Sequence, residues 1–236
     1  MMNVIAITGV KRFPLHLHYF TDVPISVEEK TEMTRSLRLI LLSFVALALA
    51  APAFAFNVVN TSWTVQCLFS TTCSVSVTDH VSEFPVSGGS GNGRLQSRVF
   101  QGQAGTTGAG KWVYEYRINL GPVAGLTYMP YADYLAVDRW GAIRQYDYNG
   151  DGIATDEVFN ITSGGIGTKA VTASWLTAPW TYFQLSNPVY SGSYPGGGES
   201  SYFFGLVSDR APVLRSMWVH LDSGWVLVEG YAPPLP

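Results

Sequence analysis

After Ala55 the hydrophobic and polar positions of this chain alternate with period two, and helical spacing is nearly absent. The clearest case is Lys111–Leu120 (KWVYEYRINL). There Trp112, Tyr114, Tyr116 and Ile118 share one face, and Lys111, Glu115, Arg117 and Asn119 lie on the other with Val113. Comparable short runs are predicted at Thr61–Gln66, Ser74–Thr78, Leu95–Gln101, Tyr134–Asp138, Ala142–Tyr146, Glu157–Thr162 and Ala170–Trp175, then at Thr181–Leu185, Ser201–Val207, Leu214–Leu221 and Gly224–Tyr231. Gly, Pro, Asn or Asp bounds each of them, and Phe84–Arg94 and Gly102–Gly110 read as loops. No segment has the length of a crossover helix, which excludes an α/β design, and no fixed-period repeat suggests a propeller or solenoid. The expected fold is all-β: a single β-sandwich or jelly-roll-like domain following an N-terminal signal peptide.

The signal is read from Arg35–Ala55 (RSLRLILLSFVALALAAPAFA). Two arginines precede an apolar run, Leu39–Ala50, and the stretch closes on Ala53-Phe54-Ala55, a small-x-small cleavage site. The run has 12 residues, short of the roughly 20 that span a bilayer. Counted from Met33 the signal has an ordinary length, so residues 1–32 are expected to be an over-extended N-terminus and 33–55 the signal. Residues 56–236 are then an extracellular domain with no transmembrane anchor after cleavage.

That domain carries nine Lys and Arg against 13 Asp and Glu, so it offers no basic footprint for nucleic acid. Low charge with abundant Gly, Tyr, Trp, Ser and Thr suits an exported all-β protein. Cys67 and Cys73 are the only cysteines. In an oxidising compartment CLFSTTC is expected to close as a disulfide, stapling a loop at a hairpin tip; free or intermolecular thiols are the alternative.

Asp147–Glu157 (DYNGDGIATDE) spaces oxygen ligands at Asp147, Asn149 and Asp151, with glycines that let the backbone curl and the Ile153 carbonyl available. This is the first half of a calcium shell, closed by Asp156 or Glu157. Up to Gly152 it resembles the calcium loops of extracellular β-proteins and dockerin-like modules. An EF-hand would place its bidentate Glu where Val158 stands, and an integrin-type loop its closing Asp at Thr155. N-G and D-G equally favour a plain hairpin turn, so a structural Ca2+ ion and a bare turn are both open.

A second resemblance rests on Glu199–Pro212 (ESSYFFGLVSDRAP), with Phe203-Phe204-Gly205-Leu206 followed by Ser208-Asp209 and Ala211-Pro212. This segment is similar to the closing strand of exported bacterial proteins of the PEP-CTERM type. YDYNGDG and Ser163-Gly164-Gly165 fit the same pattern. The resemblance implies an exported surface or extracellular protein. Ala232–Pro236 carries no sorting tail of that family, so membrane sorting is not implied.

No G-x-S-x-G elbow is present. His80 has Asp79 beside it, and His220 has Asp222 two residues on, spacings that suit ordinary surface or core histidines. Glu115 with Glu157 or Asp133 is the only combination suggesting a glycosidase pair. Seven tryptophans and twelve tyrosines in the exported part are more telling. Most are expected in the core, where large rings fill a sandwich. Exposed rings would form a stacking platform for sugars, with Trp175, Trp180, Tyr128 and Tyr131 as candidates on loops. The expected role is non-enzymatic binding, adhesion or matrix construction, with a polysaccharide or a cell-surface component as partner. The alternative is a secreted carbohydrate-active enzyme or a carbohydrate-binding module on a jelly roll.

Overall fold

The computed structural model describes residues 54–138 and 143–234. The proposed N-terminal extension, nearly all of the signal and Trp140 lie outside them. The strands are β1 Phe54–Phe56, β2 Val58–Ser62, β3 Thr78–Pro85, β4 Gly89–Ser90, β5 Asn92–Gln101, β6 Trp112–Asn119, β7 Ala124–Gly125, β8 Tyr131–Asp138, β9 Val158–Ser163, β10 Ala173–Thr177, β11 Trp180–Tyr190, β12 Phe204–Ser208, β13 Val213–Leu221 and β14 Gly224–Ala232. They form two six-stranded sheets, a front sheet ordered β1-β10-β11-β8-β13-β14 and a back sheet ordered β2-β9-β12-β6-β5-β3, with β4 and β7 paired as a small two-stranded sheet. Pairing within the two sheets is antiparallel except between β2 and β9. The expected all-β sandwich is the observed architecture.

The main core lies between the sheets. Tyr114, Tyr116 and Ile118 of β6 face Leu135, Phe183, Met217 and Val219 of the front sheet, as the alternation in KWVYEYRINL requires. The buried tyrosines keep their hydroxyls satisfied at the margin. Tyr116 donates to the Tyr231 carbonyl at 2.8 Å and Tyr114 to the Arg210 carbonyl at 2.6 Å.

Both open sides of the sandwich are managed. At one, the chain leaves β1 in the front sheet and enters β2 in the back sheet through Asn57, whose carbonyl accepts from the Glu157 and Val158 amides. Cleavage after Ala55 would leave Phe56, packed against the core, as all that remains of β1. At the other side the free edge of β14 meets the back sheet, where Ser82 and Ser97 hydroxyls accept from the Glu229 and Tyr231 amides. Those bonds occupy amides that a neighbouring strand could otherwise have paired.

The two sheets differ in what covers their outer faces. A second apolar cluster (Val65, Phe69, Tyr146, Tyr148 and Phe203, packed on Phe100, Val113, Phe159, Ile161 and Val207) roofs the back sheet. The expected polar face of β6 is therefore largely covered, and every residue of β12 is buried. This roof corrects the reading of the cysteine segment. Of the expected strand Thr61–Gln66 only Thr61 and Ser62 are extended, as the end of β2: Trp63–Leu68 forms a 3-10 helix capped by Ser62, and residues 74–77 have no regular structure. The flanking strands β2 and β3 lie at opposite edges of the back sheet, so the Cys67–Cys73 disulfide staples a roof loop and no hairpin tip. Phe69, inside that loop, is buried edge-on against Phe100 and Tyr146, and supplies the apolar anchor that alternation alone did not reveal.

Candidate functional site

The outer face of the front sheet has no such roof among the described residues, and the aromatic residues are on it. Register sets Trp175 of β10, Tyr182 of β11, Ala136 of β8, Trp218 of β13 and Leu227 of β14 in one line across the sheet. The adjoining line holds Gln184, Tyr134, His220 and Trp225. Trp180 begins β11 opposite Asp138, on the same face as Tyr182 and Gln184.

Four rings close a circuit. Trp175 stacks on Tyr182 with centroids 5.5 Å apart; Tyr182 meets Trp225 at 6.3 Å, Trp225 meets Tyr134 at 6.4 Å, and Tyr134 meets Trp175 at 6.1 Å. His220 lies against Trp225 at 4.7 Å. The result is two adjoining shallow depressions that share Tyr182 and Trp225 as their common ridge. One, about 240 Å³, is walled by the four circuit rings and His220. The other, about 200 Å³, lies between Trp180, Tyr182, Trp218 and Trp225. Ala136 is buried and forms its floor; a larger side chain there would fill the hollow.

Polar groups rim the rings. Strand β8 carries a bulge where Leu221 pairs with Ala132 but His220 with Tyr134, leaving Asp133 as the extra residue. The bulge aims Asp133 at His220, with Oδ1 2.7 Å from Nδ1. His220 therefore pairs with Asp133 and not with Asp222, which lies in the β13–β14 turn. Gln184 donates to the Tyr134 hydroxyl at 2.7 Å, and Arg215 bonds Asp138 at 3.3 Å.

These positions correct the expectation for the tryptophans. None of the six described is buried: Trp225 is 45% exposed, Trp63 is 47% exposed, and Trp112, Trp175, Trp180 and Trp218 are half-buried. Phe and Tyr fill the core in their place. Trp175 and Trp180 do join a platform, but from strands joined by a tight turn at the cis Ala178–Pro179 bond, not from a loop. Tyr128 and Tyr131 are elsewhere: the first donates to the Ser87 carbonyl and the second packs on Tyr190. The sequence reading missed Tyr134, Tyr182, Trp218 and Trp225. The alternation of Trp180, Tyr182 and Gln184 with Thr181, Phe183 and Leu185 was a usable signal, but both faces there are apolar enough to pass for core.

The carboxylates proposed as a glycosidase pair do not meet. Asp133 is on the outer face of the front sheet, Glu115 is under the roof of the back sheet, and Glu157 bonds the Asn57 amide and Gln145. Glu115 is fully buried, neither of its oxygens has a hydrogen-bond partner, and the Arg98 guanidinium is 3.9 Å away. Burial raises its pKa to about 7, with Arg98 pulling down and Asp79 pushing up.

The DYNGDG segment forms a turn stitched by its own carboxylates. Asp147 accepts from the Gly150, Asp151 and Gly152 amides, Asn149 from the Asp151 amide, and Asp151 from the Ile153 amide. Asp156 is buried at its base and accepts from the Tyr148 amide and Asn57. No group of three or more His, Cys, Asp or Glu side chains gathers for a metal among the described residues. Beside the turn lies a larger hollow, about 520 Å³, with Asn60, Thr61, Ser62, Thr64 and Asp147 among its lining. Its polar groups bond chiefly to one another, Thr61 to the Tyr148 carbonyl and Ser62 to Thr64, so it directs little at a ligand despite its size. Comparisons of the chain with protein-family models, with curated proteins and with solved structures find no match.

Proposed function

We propose that the protein is an exported, non-catalytic glycan-binding domain whose ligand lies along the outer face of the front sheet. The observation that carries this reading is the contiguous aromatic face of Tyr134, Trp175, Trp180, Tyr182, Trp218 and Trp225, half-open to solvent on rigid strands. Patches of this kind on a soluble protein mark interaction sites. A pyranose ring presents an apolar C–H face and an equatorial girdle of hydroxyls. It fits a surface whose rings supply the stacking plane and whose rim supplies Gln184, Tyr134 and His220. Two depressions across one shared ridge suit consecutive units of a chain. Export is supported by the Arg35–Ala55 pattern and by the Cys67–Cys73 disulfide, which persists in oxidising surroundings. Attachment to a polysaccharide-rich surface or matrix is the corresponding role.

The test is binding of the protein to a panel of polysaccharides by calorimetry and tryptophan fluorescence. At least one glycan should bind with a change in emission. Trp225→Ala and Tyr182→Ala should each weaken that binding by about tenfold or more, the effect of removing one good ring contact. Their melting curves should stay close to the parent's, because both rings lie outside the core. Absence of binding across the panel, or unchanged affinity in both variants, overturns the proposal.

A further inference from the structure

His220 is the polar atom source at the heart of the aromatic circuit, and the bulge in β8 determines what it offers. Asp133 Oδ1 lies 2.7 Å from His220 Nδ1. A carboxylate only accepts, so a proton sits on Nδ1, and in that tautomer Nε2 is the acceptor. No hydrogen bond within the described residues takes up Nε2. The rings on either side, Trp225 and Tyr134, hold the imidazole in place by contact at 4.7 and 5.8 Å.

The charges around the face point the same way. Among the described residues the outer side of the sheet carries Asp133, held by His220, Asp138, paired with Arg215, and Glu229, which lies on β14 in the next position beyond Leu227 on the same side. Among the described residues, what the face presents to a ligand is therefore acceptors and carboxylates.

Resting on the reading of this face as a glycan site, we infer that His220 selects the ligand class. It accepts a hydrogen bond from a hydroxyl or amide N–H of a neutral sugar seated in the depression walled by Tyr134, Trp175, Tyr182 and Trp225, and the face rejects uronate or sulfated glycans. Asp133 is a positioning residue that acts through the imidazole tautomer.

The experiment titrates the protein with neutral oligosaccharides (β-glucan, mannan and chitin series) and with polygalacturonate and alginate. Each titration is repeated for His220→Phe, which keeps a ring but no acceptor; for His220→Gln, which restores an acceptor; and for Trp225→Ala. The expected result is binding of a neutral series, with the acidic polymers weaker by at least about tenfold. His220→Phe should lose about tenfold for the neutral ligand, a hydrogen bond's worth, and His220→Gln should regain most of it. Acidic glycans binding as tightly as neutral ones, or His220→Phe binding like the parent while Trp225→Ala loses affinity, overturns this inference and leaves the glycan face standing. Failure of every glycan to bind overturns both.

Discussion

Replacing Glu115 by Gln should stabilise the protein at neutral and alkaline pH and leave it nearly unchanged in acid. Glu115 is fully buried in β6 beneath the Phe203 layer, and neither carboxylate oxygen has a hydrogen-bond partner. The nearest cation, Arg98, is committed elsewhere: its Nε bonds Asp79 at 3.2 Å and its guanidinium stacks over the Phe203 ring at 3.7 Å. Burial lifts the carboxyl from 4.5 to about 7. A group whose folded pKa is raised holds its proton more tightly in the folded state. Its contribution is thus fully present below pH 4.5 and is lost as pH climbs to 7. At 1.36 kcal/mol per pKa unit the loss is about 3 kcal/mol. Glutamine keeps the shape, cannot ionise, and escapes that loss. Urea unfolding from pH 4 to 9 reads it directly. The parent should lose about 3 kcal/mol between pH 4.5 and 7.5 that Glu115→Gln retains, and at about 2–4 °C per kcal/mol the variant should melt roughly 6–12 °C higher at pH 8. Parallel pH profiles for the two proteins, or a variant less stable at pH 8, would refute the buried-charge account.

Non-reducing mass spectrometry should find Cys67 and Cys73 joined within one peptide, and Cys67→Ser with Cys73→Ser should cost about 2 kcal/mol by loop entropy. Calcium on Asp147, Asn149, Asp151, the Ile153 carbonyl and Asp156 is one of the two readings open for the DYNGDG turn, and melting distinguishes it from a plain turn. On the calcium reading, millimolar calcium should raise the melting temperature, chelator should lower it and Asp151→Ala should abolish the response, whereas an indifferent melt assigns the segment to a plain turn. Gly205→Ala should lower stability by about 2 kcal/mol or more in the same unfolding assay, because its added methyl would sit 2.3 Å from the Tyr114 carbonyl oxygen across the β12–β6 pair.

The alternation of side chains determined by itself that this chain is a β-sandwich. Period two is a property of the extended backbone, so KWVYEYRINL reports its strand and its inward face without outside help, and Gly, Pro and Asn mark the ends. Two cysteines with five residues between them likewise made their pairing legible. The sequence did not disclose which outer face would be covered. Both Glu115 and Trp218 alternate with core residues, and local pattern assigns each to the outward side. Only the packing of the 3-10 helix, the disulfide loop and residues 143–150 onto the back sheet buried the first, and only the absence of such a layer among the described residues left the second open. The site was hidden for a related reason. Tyr134, Trp175, Tyr182, His220 and Trp225 come from five strands spread over 92 residues, and register across the sheet, not spacing along the chain, makes them neighbours. The Asp133–His220 pair depends on one bulge, a single extra residue that turns a side chain through the sheet and that alternation cannot foretell.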